Sequence, residues 1–133
     1  MASELRVDTL KDSSGNNSVG MAYVSGGSAK AWVNFDGTGT IASRDSLNVS
    51  GLVDNGTGDY TISYTSSLAN SNYSLNGISS LIAQRLGIIW IGNSSYIAAG
   101  SSRIGTLYTT NFTGGGAGDD QSFVSVQTMG DLA

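Results

Sequence analysis

The sequence predicts an all-β fold, an antiparallel β-sandwich or jelly-roll-like domain preceded by an extended amino-terminal arm. Three observations carry that expectation. Short runs of alternating apolar residues recur with turn signals roughly every 8 to 12 residues. The chain has 19 glycines and no proline, and is rich in Ser, Thr and Asn, a composition that favours turns and strands over long helices. No segment carries a clear helical period. With 133 residues, 39% of them hydrophobic, the chain can bury one core and is too short for two domains of typical size.

The arm is expected over residues 1–18 and the β domain over residues 19–133. From Ser3 to Leu10, Leu5 and Val7 face one way and Glu4, Arg6 and Asp8 the other, before the polar run KDSSGNNS. So few apolar groups do not fold alone, and Leu5, Val7 and Leu10 are the expected assembly contacts with another subunit or a larger particle. Val19–Ser25 reads as a short strand, broken by GGS before Ala29–Phe35. In that second strand Ala31, Val33 and Phe35 oppose Lys30, Trp32 and Asn34, so both faces carry a large apolar group and both are expected to be covered. Trp32 reads as a core or interface residue.

Asp36–Thr40, DGTGT, has turn chemistry, and an extended run restarts at Ile41. Arg44 and Asp45 are strand neighbours on opposite faces, so each is expected to find a structural partner elsewhere. Then NVSGLVDNGTGDYTISY reads as a hairpin turning at Asp54–Asp59, with Tyr60, Ile62 and Tyr64 on one face of the return strand. Further strands are expected at Tyr73–Ile78, Leu81–Gly92 and Gln121–Thr128, with Ile104, Tyr108 and Phe112 on one face of the serine-rich run between them. Arg85 interrupts an apolar face and suits a carboxylate on a neighbouring subunit. Gly114–Asp120 is expected to be a flexible loop.

The composition narrows function by exclusion. A formal net charge of −4 with six scattered basic residues is ill suited to a nucleic-acid backbone. No cysteine and no histidine are present, so disulfides, thiolate metal sites and the usual catalytic triads are out of reach. The aspartates sit in Gly, Asn and Thr surroundings and read as turn formers, and Asp54, Asn55 and Asp59 lack calcium-loop spacing. No catalytic residue, metal or cofactor is expected. The opening MASELRVDTL has no secretory apolar run, and Leu81–Ile91 is far short of a membrane span. The Asn-x-Ser/Thr triplets therefore read as composition. Tyr73, Tyr96, Tyr108 and Phe112 are the aromatics available for reading sugars or protein surfaces by stacking, with part of the set expected in the core. Asn93–Ala117, the least patterned stretch, is the expected outward-facing surface.

The ordered combination AWVNFDGTGT, RDS, NVS and DNGTGDYT resembles a module of tail-fibre-like virion proteins of tailed bacteriophages, particularly those of marine and cyanobacterial hosts. The likeness covers about a third of the chain, and the opening SELRVDTLKDSSG and the closing GDLA are also similar to such proteins. It implies a non-enzymatic structural subunit, made in the bacterial cytoplasm and built into the virion, usually a homotrimer around a threefold axis. The expected function is a short tail fibre or spike subunit for attachment and host recognition. The runner-up is a capsid decoration or head-fibre protein that stabilises the shell. The implied partners are copies of itself, other virion proteins bound through the arm, and a host glycan or envelope protein read by Tyr96, Tyr108 and Phe112. Ala29–Leu68 is then shared scaffold. The chain departs from the pattern in lacking the longer shaft usual in a fibre.

Overall fold

The computed structural model describes residues 3–80, 86–92, 94–109 and 117–133. The expectations for Leu81–Arg85 and for Phe112 fall outside the described residues.

Residues 3–8 are outside regular structure and exposed, with Leu5 79% exposed. Strand β1 (Thr9–Lys11) then pairs antiparallel with β2 (Ser18–Gly20) around a loop closed by Asp12, whose carboxylate accepts from Ser14, Asn16 and Asn17. The expected boundary between residues 18 and 19 therefore lies inside a strand. Val19–Ser25 is not one strand. Pairing ends at Gly20 because β1 is three residues long, and helix α1 (Met21–Gly27) satisfies the next backbone groups locally. Its seven residues expose Tyr23 and end in two glycines. Lys30 fastens this helix to the body, donating from Nζ to the Ser25 carbonyl and to Ser28 Oγ, the latter at 2.6 Å.

The body begins at β3 (Ala29–Asp36). With β4 (Ala42–Leu47) it forms an antiparallel pair that carries a register shift beside Phe35. Between β4 and β5 (Val49–Gly56) only Asn48 intervenes, and there the chain passes from one sheet to the other. Asn48 takes φ 55°, a left-handed conformation that Asn tolerates better than most residues, and its side-chain amide is hydrogen-bonded at both ends to the Ser66 backbone. Strand β5 turns into β6 (Asp59–Tyr64) through Thr57 and Gly58. Gly58 has φ 67°, and a β-carbon there would lie 2.3 Å from the Thr106 carbonyl oxygen, so no other residue fits.

The remaining strands are β7 (Ser74–Ser79), β8 (Leu86–Trp90), β9 (Ile97–Ala98), β10 (Ser101–Thr109), β11 (Ala117–Gly118) and β12 (Val124–Met129). One sheet runs β4-β3-β12-β7 and the other is built on β10, which pairs with β6, β8, β9 and β11, while β5 lies beyond β6. At Ser101 and Ser102 strand β10 pairs with both β6 and β9, and at Leu107 and Tyr108 with both β8 and β11. Because a strand has two edges and Gly105 pairs with both β6 and β8, strands β8 and β9 follow one another along one edge of β10.

The described chain is mostly strand, in antiparallel sheets, as the alternation requires. Ala31, Val33, Phe35, Val124 and Val126 of the first sheet share one buried cluster with Tyr60, Ile62, Tyr64 and Ile104 of the second, closed by Leu68. The Phe35 and Tyr60 rings meet edge to face at 5.1 Å. This core also carries polar contacts between the sheets: the Tyr64 hydroxyl lies 3.0 Å from both Ser102 Oγ and Thr128 Oγ1. At the end near the β5–β6 turn, Asp120 accepts from Gly58 N at 2.7 Å and from the Tyr60 hydroxyl at 2.8 Å. Burial first, and then the neighbouring Asp120 carboxylate, push the Tyr60 hydroxyl pKa upward, keeping it a donor. The expectation of a flexible Gly114–Asp120 loop is corrected for its described part: residues 117–118 pair with β10, and Asp119 and Asp120 are bound into the sheet end.

Candidate functional site

The described aromatics divide into buried, half-covered and open ones. Tyr73 is half-covered, packed against the core: its hydroxyl donates to the carbonyls of Ala98 and Ser101, and its ring meets Tyr64 edge to face at 6.2 Å. Burial is the main cause that raises its pKa. Its hydroxyl and ring are engaged within the fold.

Tyr96 lies in a short 3₁₀ turn, Ser94–Tyr96, half-buried beneath Arg103, whose guanidinium carbon sits 4.5 Å from the ring centre. Arg103 also grips Asp59 with two hydrogen bonds of 2.7 and 2.5 Å. These bonds hold the Asp59 carboxyl below the usual aspartate range and raise the Arg103 pKa. Tyr108 is half-buried and falls on the β10 face of Ser102, Ile104 and Thr106, opposite the face that carries Arg103 and Tyr96. Tyr96 and Tyr108 are therefore not brought onto one surface.

Arg44 and Asp45 separate as expected. Arg44 bonds Asp36 at 2.9 Å, and Asp45 accepts from the backbone of Ser46. The Asp36 carboxyl is lowered chiefly by the Thr38 hydroxyl and backbone, with Arg44 adding to it. Asp54 accepts from Gly56 N and Asp59 is engaged by Arg103, so the three side chains Asp54, Asn55 and Asp59 are occupied with the turn. Among the described residues no group of three acidic side chains lies close enough to hold a metal ion.

A surface that the one-dimensional pattern does not single out lies on the outer face of the first sheet. Registration sets Leu47, Trp32, Gln127 and Asn76 in one row across four strands, and Asp45, Asn34, Ser125 and Ile78 in the next. Trp32, Asn76, Ile78, Ser125 and Gln127 border a groove of about 470 Å³ whose floor is the backbone of Gly77 and Val126. A second hollow of about 320 Å³ shares Asn76 and Gly77 with it and continues to Leu75, Ile89, Trp90 and Ile91. Trp90 lies over Gly105, where a β-carbon would fall 2.3 Å from its Nε1, and yet the side chain stays 43% exposed. One side of the indole rests on backbone while part of it remains open. The relevant signal in the sequence was the polar partners of Trp32, but Gln127 and Asn76 lie 95 and 44 residues from it and only strand register unites them.

Comparison with protein-family models, with curated proteins and with solved structures finds no match. No helix among the described residues is long and apolar enough to cross a membrane.

Proposed function

We propose that this chain is a structural, non-catalytic subunit of a tailed-phage virion, a short tail fibre or spike that attaches through its amino-terminal arm and recognises the host surface with its body. The two sheets are read as a β-sandwich of jelly-roll-like form, and three copies pack about a common axis. The observation that carries this reading is the division at Ala29. Of the described residues before it none is buried, and Leu5, Val7, Leu10, Val19 and Tyr23 are exposed, whereas the buried cluster draws only on Ala31 and later residues. An exposed apolar arm gains free energy only when a partner covers it, which suits a segment that docks on another virion protein. The body contributes a separate surface for the host.

Immunogold labelling of virions carrying the gene for this chain, paired with sedimentation equilibrium of the purified protein, tests the reading. The expected result is label at the tail and a trimer mass. Label over the head favours the decoration or head-fibre alternative. Unlabelled virions overturn the virion assignment, and a monomer in sedimentation overturns the trimer.

A further inference from the structure

We infer that the groove running from Trp32 to Trp90 is a binding site for a neutral oligosaccharide. The inference rests on the host-recognition reading and places recognition on the outer face of the first sheet and at its β8 border, where the Trp90 ring neighbours Tyr96. Its two hollows meet at Asn76 and Gly77, which border both. Trp32 to Asn76 spans two strand spacings, roughly 10 Å, and the trough continues past Asn76 to Trp90, longer than one pyranose ring.

The chemistry of the lining selects the ligand. Every described residue that borders either hollow is uncharged, in a chain that carries 16 Asp, Glu, Lys and Arg residues (6 + 10). An anionic or cationic ligand would lose hydration there with no countercharge in return. A purely apolar ligand would cover Asn76, Gln127 and Ser125 without replacing their bonds to water. A neutral sugar answers both demands. Its C–H faces stack on indole, and its hydroxyls donate to and accept from side-chain amides, each of which offers two N–H donors and a carbonyl acceptor. Trp90 is suited to stacking because Gly105 supports it from beneath at a distance no side chain would permit. The two volumes also fall in the range of small-ligand clefts.

The test uses the full chain, whose two tryptophans give two indole N–H signals in a proton–nitrogen correlation spectrum. The signals are assigned with Trp32→Phe and Trp90→Phe. Linear gluco-, galacto-, manno- and xylo-tetrasaccharides are the probes, with a heparin tetrasaccharide as the charged comparator. At least one neutral probe is expected to shift both signals saturably, and the heparin probe neither. Gln127→Ala, an exposed change that leaves the thermal midpoint in place, is expected to weaken that binding about five-fold, the loss of one hydrogen-bonding group. The inference is overturned if no neutral probe moves either indole, or if the heparin probe binds as tightly. It is overturned too if the Trp32 signal responds to protein concentration and not to sugar, which assigns the trough to contact between copies. Attachment of the purified protein to host cells separates this inference from the function it rests on. Sugar binding without cell attachment removes the host-recognition reading and keeps the site, whereas attachment that Gln127→Ala leaves intact removes the trough from recognition.

Discussion

The described residues before Ala29 and those from Ala29 onward are ordered by different means. In the first region the described bonds are local: β1 meets β2 across a short loop, Asp12 gathers Ser14, Asn16 and Asn17, and Met21 N donates to the Asp8 carbonyl at 2.9 Å. In the second, bonds join residues far apart in sequence, as in the Tyr64 contacts with Ser102 and Thr128 and the Tyr60 contact with Asp120. A two-stranded hairpin with no buried face is marginal in water, whereas two sheets that share a core order one another cooperatively. Stability therefore resides in the body.

Substitutions on the two sides of Ala29 should differ sharply in chemical denaturation. Phe35→Ala removes a fully buried ring in contact with Tyr60 and is expected to cost about 3–5 kcal/mol. Should it cost less than about 1 kcal/mol, the shared core would not be the source of stability. Tyr64→Phe keeps the ring and deletes the hydroxyl between Ser102 and Thr128, both buried, for an expected loss of about 1–3 kcal/mol.

Asp59→Asn is a smaller perturbation, since its pair with Arg103 is part-exposed and worth at most about 1 kcal/mol at neutral pH. Its pH signature is distinctive. The Asp59 carboxyl is depressed in the folded state, chiefly by its hydrogen bonds to Arg103, so the stability it supplies is present above the unfolded aspartate pKa of about 3.9 and is lost as pH falls below it. Denaturation midpoints of Asp59→Asn should therefore fall less steeply than those of the parent chain below about pH 4. Equal acid slopes would contradict the assignment. The smallest effects belong to residues before Ala29: Leu5→Ala in the arm and Tyr23→Ala in α1 should each change the body's stability by no more than about 0.5 kcal/mol, because both side chains are already in water.

Strand alternation made much of the core legible beforehand. Ala31, Val33 and Phe35, and Tyr60, Ile62 and Tyr64, fall on their expected faces because a half-buried strand writes its burial with period two. The β5–β6 hairpin was readable too, although Asn55 and Gly56 end β5 and the turn itself is Thr57–Gly58. Helix α1 was not, since seven residues with two closing glycines carry too short a period to be told from a strand. Nor was Asn48, whose role as the crossing between sheets depends on a left-handed backbone and on Ser66, neither marked by composition. The trough escaped for a third reason. Its members come from β3, β7, β8 and β12, and single-chain alternation describes each strand without saying which residues stand side by side.

Amide hydrogen exchange on the full chain tests most directly whether folding resides in the body and not in the arm. The expected pattern is strong protection in residues 31–35, 60–64, 102–106 and 124–128, lost together on global unfolding, with residues 9–11 and 18–20 exchanging near the rate of an open chain. Protection of the β1–β2 hairpin equal to that of the core strands would contradict the division at Ala29.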